Sequence, residues 1–422
     1  MTLNQECLIF FSVENLDFNV IIASLGEVAV KGVMTRRRMQ RALLSNIESA
    51  LRRWCVSTYS LRIEGGRFYV ENINDIRKGV ISLMHVFGLE KVIPARMIAF
   101  DTLDDLAEQV GKLYGGLVAG KKFRVTASRV GKHDFTSIDV MRKVGEALRR
   151  LGGIVDLENY DVEVHVDVRD KKAYAYTNFF YGLGGIPEGT EGKVLALVSG
   201  GFDSPVAAWM MMKRGAKVDY VFFNIGGEEQ RKILYDVCCT LYCLYSYGHD
   251  QFLWDVEFRW IFPLMNTVPV SLRGVYLKKA MYLAAEHIAL KNNYKALVTG
   301  ESLAQVASQT LQNLVATEDG VKLPIFRPLI GMDKKESIAK SIEIGTYKVS
   351  VKSKEFCALA TPHPSTSVKT ETINKYIQET NLLDTIKTMT ENYSKTIKLS
   401  QACECEKIIQ EREEEIGKKI KI

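Results

Sequence analysis

The sequence predicts an α/β protein in which a basic half of mixed helices and strands precedes a parallel-sheet domain. Three observations predict it. Short helix-type and strand-type patterns alternate through the first 180 residues. A break rich in glycine and proline follows at residues 181–189. Beyond it, continuous apolar runs alternate with segments of helical period, as expected for strands buried on both faces.

In the first half, residues 19–23 read as a strand, 36–54 as a helix, and 59–62 and 67–70 as strands. From about residue 75 come a helix (75–85), a strand (91–97) and a second helix (102–113). Strand 122–127, helix 137–151 and strands 162–168 and 173–180 complete this part. Gly182, Gly184, Gly185 and Gly189, with Pro187, then interrupt either kind of element. After them we read strand 193–198, helix 205–214, strand 218–223, helices 228–244 and 274–291, and strand 296–298. The last fifty residues are polar and expected to be helical. The expected domains are 1–74, 75–180 and 181–375, with a helical tail over 376–422.

A chain of 422 residues exceeds one ordinary core, and 47% hydrophobic with 25% charged residues suits a folded, soluble protein. Charges break every long apolar run, so no membrane partner is expected. The apolar residues 8–13 lack a preceding basic region and a small-residue cleavage site, which points to the cytoplasm. The net charge is only +6, but it is unevenly placed. Lys31, Arg36, Arg37, Arg38, Arg41, Arg52 and Arg53 face one acid, Glu48, within residues 31–53. Lys121, Lys122, Arg124, Arg129 and Lys132, beside His133, form a second basic stretch. Such clusters favour polyanions, although solvated helix faces look the same in sequence. Eight cysteines without a paired CxxC spacing indicate neither a disulfide scaffold nor a structural zinc site, and reduced thiols are expected.

The chemistry concentrates at Ser199-Gly200-Gly201-Phe202-Asp203-Ser204, between an apolar strand and a helix. Two glycines let the backbone turn its amides inward, and the helix adds its positive N-terminal end. This is a phosphate cradle at the carboxyl end of a strand, without the spacing of a Walker A loop.

Residues 198–215 (VSGGFDSPVAAWMMMKRG) resemble the PP-loop of tRNA 4-thiouridine synthetases, the tRNA sulfurtransferases also linked to thiamine biosynthesis. Residues 26–32 (GEVAVKG) resemble that family's ferredoxin-like opening, and 131–135 (GKHDF) its THUMP RNA-binding domain. Residues 299–311 (TGESLAQVASQTL) and 327–330 (RPLI) resemble its downstream ATP-site segments. The resemblance implies a ferredoxin-like domain, a THUMP domain and a PP-loop domain that cleaves ATP between the α and β phosphates. It implies tRNA as substrate, with Lys31, Arg36, Arg37, Lys122, Arg129, Lys132 and His133 on its binding face. It places Leu197, Val198, Phe222, Phe223, Lys278, Gly300 and Gln309 around the nucleotide, with the phosphates on Ser199, Gly200, Gly201 and Ser204. Phe222 and Phe223 are equally at home in a core. Asp203 would orient the loop or bind Mg²⁺, Lys334 would stabilise the departing pyrophosphate, and Cys357 would carry sulfur.

Some family members carry a rhodanese domain, for which this chain ends too early. Others carry a CxxC implicated in an iron–sulfur cluster, where this chain has Gly274 and Leu277. Cys238, Cys239 and Cys243 are spaced differently, and a cluster on them is not favoured. Cys403 and Cys405 would be available as resolving thiols for Cys357. The resemblance also implies a homodimer and a sulfur donor, either a cysteine desulfurase persulfide or sulfide. The rival readings are another PP-loop tRNA-modifying enzyme and a non-catalytic RNA-binding protein with a vestigial nucleotide site.

Overall fold

The computed structural model describes residues 18–353 and 363–418. Cys357 lies outside the described residues. In chain order the first elements are β1 (Val20–Leu25), α1 (Val33–Arg53), β2 (Ser60–Glu64), β3 (Arg67–Glu71), α2 (Ile76–Met84) and β4 (Leu89–Ala99). They are followed by α3 (Leu103–Val118), β5 (Lys122–Val130), α4 (Ser137–Arg150), β6 (Ile154–Val155), β7 (Val162–Arg169), β8 (Lys172–Tyr176) and β9 (Phe180–Tyr181). Next come β10 (Lys193–Leu197), α5 (Asp203–Lys213), β11 (Lys217–Asn224), α6 (Glu228–Tyr245), β12 (Phe252–Glu257), α7 (Ile261–Met265) and α8 (Arg273–Lys291). The remainder is β13 (Leu297–Val298), α9 (Leu311–Glu318), β14 (Ile325–Phe326), α10 (Lys334–Glu343), α11 (Tyr347–Ser350), α12 (Thr370–Glu379), α13 (Leu382–Asn392), β15 (Ser394–Lys398), α14 (Leu399–Ala402) and α15 (Cys405–Gly417).

Contacts divide the chain into two units, one within Met1–Ala29, Ala50–Gly184 and Glu413–Ile422, the other within Val30–Ser49 and Gly185–Arg412. The first is built on one nine-stranded sheet in the order β2-β3-β1-β4-β8-β7-β5-β6, with β9 also on β4. β4 is long enough to serve both ends of it. Its first part pairs with β1 (Ile22↔Ile93) and its last part with β8 (Arg96↔Ala175). Helices α3 and α4 bury Leu106, Val110, Tyr114, Val140, Val144 and Leu148 against Val164 and Val166 of β7. Their starts are fixed by threonine caps, Thr102 accepting from Asp105 N and Thr136 forming a capping box with Asp139. Residues 173–180, read as one strand, are instead β8 and β9. The gap between them falls along β4 at Pro94, which has no N–H for the ladder.

The second unit carries a six-stranded sheet ordered β14-β13-β10-β11-β12-β15. Five strands are parallel, and β15 runs antiparallel along β12. β10 and β11 are short apolar runs buried along most of their length, which is why a two-sided helical cover is required. Strand order reverses at β10, which has β11 on one side and β13 on the other. Open α/β sheets bind ligands at the carboxyl ends of strands at such a switch point. Helix α8 covers the sheet with Tyr276, Ala280, Ala284 and Ile288 in a core with Leu195, Val221 and Val256.

Two expectations are corrected here. The tail is not wholly helical, because Ser394–Lys398 forms the edge strand β15, a polar run with two lysines suited to an exposed edge. The thiols are not all reduced either. Cys239 pairs with Cys403 and Cys243 with Cys405, so neither tail cysteine is a free thiol. Cys239 and Cys243 lie one turn apart on α6, and Cys403 and Cys405 flank one residue between α14 and α15, so the two pairs meet in register. Intracellular disulfides are rare in mesophiles but abundant in hyperthermophile proteins. Cys238 faces the core, and burial pushes its thiol well above the usual cysteine range.

Each disulfide closes a loop of over 160 residues, with separations of 164 and 162, yet the two enclose almost no chain between them. In the loop-entropy account one bridge stabilises by about 5 kcal/mol, and the second, which closes only a short further ring, adds about 2 kcal/mol. Cys239→Ser with Cys403→Ser should lower Tm only slightly, and so should Cys243→Ser with Cys405→Ser. Removing all four should lower it steeply. Thermal melts of the three variants check this, and equal losses in all three would contradict it.

Candidate functional site: a nucleotide cavity at the strand ends

The glycine loop follows β10 directly, and its shape is set by one hydroxyl. Ser204 Oγ, in the first turn of α5, accepts from Ser199 N at 2.8 Å and lies 3.3 Å from Ser199 O, to which it donates. Ser199 Oγ in turn accepts from Gly201 N at 3.4 Å. Gly300 is needed for room, and the space at Gly200 is tight. A Cβ on Gly200 would sit 2.7 Å from Ser353 Oγ. A Cβ on Gly300, after β13, would lie 2.6 Å from Ser204 N and 2.7 Å from the Asp203 carbonyl carbon. Those are backbone atoms, so the clash has no side-chain relief.

The loop opens into a cavity of about 490 Å³ at the carboxyl ends of β10, β11 and β13. Leu197, Val198, Ser199, Gly201, Asp203, Ser204, Phe222, Phe223, Lys278, Gly300, Gln309 and Lys334 all line it, and Gly200 lies within the loop itself. Phe222 and Phe223 are both buried and also border the cavity, so the core and site readings of that pair coexist. Asp203 Oδ2 accepts from Lys334 Nζ at 2.8 Å and Gln305 Nε2 at 3.0 Å, while the buried Oδ1 has no hydrogen-bond partner. Lys334 begins α10, whose start is set by the Asp333–Glu336 capping box. Gln309 is 8% exposed and its Oε1 lacks a partner, as does that of Gln230. Buried acceptors aimed into a cavity are unsatisfied until a ligand or water meets them.

Sequence reasoning missed a second layer. Glu301, 2% exposed, lines the cavity with Tyr282 and Thr299. Its Oε2 accepts from the Tyr282 hydroxyl, from Thr299 Oγ1 at 3.0 Å and from Arg327 Nε at 2.9 Å. Its Oε1 forms an ion pair with Lys278 Nζ at 2.9 Å, outside hydrogen-bond geometry. Burial raises its carboxyl, but the Lys278 charge, the Tyr282 hydrogen bond and Arg327 outweigh this and hold it down at about 2. Glu301, Gln305 and Arg327 were all within the quoted stretches. A carboxylate beside an anionic ligand is not what a phosphate-site reading looks for.

The basic residues of the first half are partly spoken for. Lys122 pairs with Asp156 at 2.9 Å and Arg124 with Glu163 at 2.9 Å. Lys132 is exposed. Arg129 contacts Gly131 O and His133 Nδ1, both at 3.3 Å, and His133 Nε2 lies 2.8 Å from Asp170 O. This fits a histidine donating from Nε2 and accepting at Nδ1. Lys31, Arg36 and Arg37 stand at the start of α1, where Arg37 is exposed. Ser353 and Pro364, which precede and follow Cys357 in the chain, both line the cavity. Among the described residues, no group of three or more His, Cys, Asp or Glu side chains is placed to hold a metal ion, and no helix is long and apolar enough to cross a membrane.

A glycine loop at a sheet switch point, with the Asp203–Lys334 pair beside it in one cavity, is the arrangement of an α/β enzyme that binds a nucleotide. The comparisons with known proteins make this specific. Residues 20–92 match the ThiI ferredoxin-like domain, 100–178 the THUMP domain and 189–382 the thiamine biosynthesis protein (ThiI) model. A probable tRNA sulfurtransferase of Sulfurisphaera tokodaii is 38% identical over 363 residues, 86% of this chain and 96% of that protein. The tRNA sulfurtransferase of Pyrobaculum aerophilum is 42% identical over 347 residues, 82% of this chain and 70% of that one. A 4-thiouridine synthetase solved with RNA and bound ATP superposes with TM-score 0.79 at 27% identity, covering 90% of this chain and 99% of that one. A Pyrococcus horikoshii protein superposes with TM-score 0.62 at 26% identity, covering 78% and 99%. The chain belongs to the tRNA sulfurtransferase (ThiI) family, and its ferredoxin-like, THUMP and PP-loop architecture is the one expected from sequence.

Two predictions follow from the packing. Gly300→Ala should weaken nucleotide binding at least tenfold while costing about 1–3 kcal/mol of stability, since its methyl must displace the loop backbone. Nucleotide titration beside a thermal melt separates the two effects. The Glu301 carboxyl lies below its ordinary 4.5, so its contribution is complete above pH 4.5 and is lost as pH falls towards 2. That contribution is roughly 3 kcal/mol, and Glu301→Gln should flatten the acid limb of the stability profile between those values.

Proposed function

We propose that this protein uses ATP to adenylate a uridine of tRNA, at position 8 by family resemblance, and replaces O4 of that base with sulfur to give 4-thiouridine. One observation carries the reading furthest. The glycine loop, the Asp203–Lys334 pair and both flanks of the segment bearing Cys357 line one cavity.

The cavity residues fit ATP. Leu197, Val198, Phe222 and Phe223 supply apolar walls for adenine and ribose, and the unpartnered Gln309 Oε1 supplies an acceptor for an amine. The start of α5 and the loop amides not bonded within the loop would meet the phosphates, and Gly300 permits the close approach. Lys334 is placed to balance charge on pyrophosphate as the uridine O4 displaces it from the α-phosphorus. The free Asp203 Oδ1 suits Mg²⁺, which takes one or two carboxylates with phosphate oxygens and would neutralise phosphate charge. Sulfide then attacks C4 and AMP departs. A Cys357 persulfide would attack C4 through its outer sulfur, AMP departing. A second thiol from outside the chain would then break the resulting S–S bond, releasing 4-thiouridine and leaving that thiol in a disulfide with Cys357. An oxo group leaves poorly until it is phosphorylated, which is why the ATP step comes first.

The exposed bases of the ferredoxin-like and THUMP parts would hold the tRNA backbone and shape. The donor would be a cysteine desulfurase persulfide or sulfide, the working form a homodimer in the cytoplasm, and the same sulfur would serve thiamine thiazole synthesis.

Mass spectrometry of nucleosides from unmodified tRNA, after reaction with ATP and a defined sulfur source, is the test. 4-Thiouridine should appear only with ATP. Asp203→Asn and Lys334→Met should lower its rate by about 10²–10³-fold. Cys357→Ser should abolish persulfide-fed turnover. A product formed equally without ATP would refute the reading.

A further inference from the structure

The ATP site holds a buried carboxylate that ordinary electrostatics would keep out of it. Glu301 lines the cavity beside a loop built for phosphate, where an uncompensated anion would repel the ligand. The arrangement of its two oxygens resolves this. Oε2 is saturated by three donors from three places, the Tyr282 hydroxyl on α8, Thr299 just after β13, and Arg327 beyond β14. Arg327 is itself fixed by Glu318 at 2.8 Å. Oε1 makes no hydrogen bond and is ion-paired with the ammonium of Lys278 at 2.9 Å.

A lysine on a helix has many rotamers, and its side chain here is only 26% exposed, so its aim depends on what holds it. Resting on the reading of this cavity as an ATP site, we infer that Glu301 is a positioning residue, which fixes the Lys278 ammonium at the nucleotide through an oxygen reserved for it. The Tyr282 phenol stays protonated because burial and the Glu301 charge push it up, so it remains a donor. The carboxylate is thereby locked in orientation before any ligand arrives.

The Glu301→Gln change isolates this role. Its amide oxygen can still accept at the three-donor side, while the amide nitrogen turns to Lys278 and removes the ion pair. Calorimetric titration with α,β-methylene-ATP would be run on full-length wild type, Glu301→Gln, Lys278→Met and the double variant, each with a thermal melt. Each single change should weaken binding about tenfold, and the double variant should be no more than about twofold worse than Lys278→Met alone. If Glu301→Gln folds poorly, Tyr282→Phe replaces it. Its smaller loss should likewise vanish in the Lys278→Met background. Independent effects that multiply to about a hundredfold would overturn the positioning role and leave the ATP site standing. A wild-type protein that binds no analogue would overturn the ATP reading, and this role with it.

Discussion

The site depends on how closely two pieces of backbone approach at the switch point of the parallel sheet. Gly300, at the end of β13, lies against the main chain of Asp203 and Ser204 with no space for a side chain. Ser204 then turns its hydroxyl back across the loop to Ser199 N. These two contacts fix the loop and the first turn of α5 at the edge of the cavity. Asp203, Lys334 and Gln305 can only converge because the loop is held there. The strand order explains why the meeting point is here, since β11 and β13 leave β10 on opposite sides and open a crevice between their following loops.

The same sheet shows how its far edge is protected. β12 would end the sheet with unpaired backbone groups, and β15 covers it. β15 is short and polar and would pair weakly alone, but two disulfides fasten the chain just after it to α6. Helix α6 reaches from those bridges to the cavity, where Gln230 lies in its first turn. The covalent ties thus fix both the edge strand and the helix that contributes to the cavity wall.

Much of this was legible in the sequence. The apolar strand, the SGGFDS turn and the helix after it are local signals, and local signals survive into structure when sterics leave few alternatives. The residues placed around the nucleotide by resemblance do share one cavity. What could not be read is mostly nonlocal. β15 has no apolar pattern of its own, because pairing with β12 rather than burial makes it a strand. The cysteine pairs join positions more than 160 residues apart, with separations of 164 and 162, which no spacing rule detects. β8 and β9 look continuous until Pro94 of a different strand interrupts their partner. Glu301 escaped for a chemical reason, since its charge makes sense only once Lys278 and Arg327 are seen around it.

The central claim is that this loop spends ATP on a tRNA base before sulfur arrives. tRNA-dependent ATP–pyrophosphate exchange, run with no sulfur source, isolates that step. The account predicts exchange that requires unmodified tRNA, persists in Cys357→Ser and is lost in Asp203→Asn. Exchange that is independent of tRNA, or absent unless a sulfur donor is supplied, would contradict it.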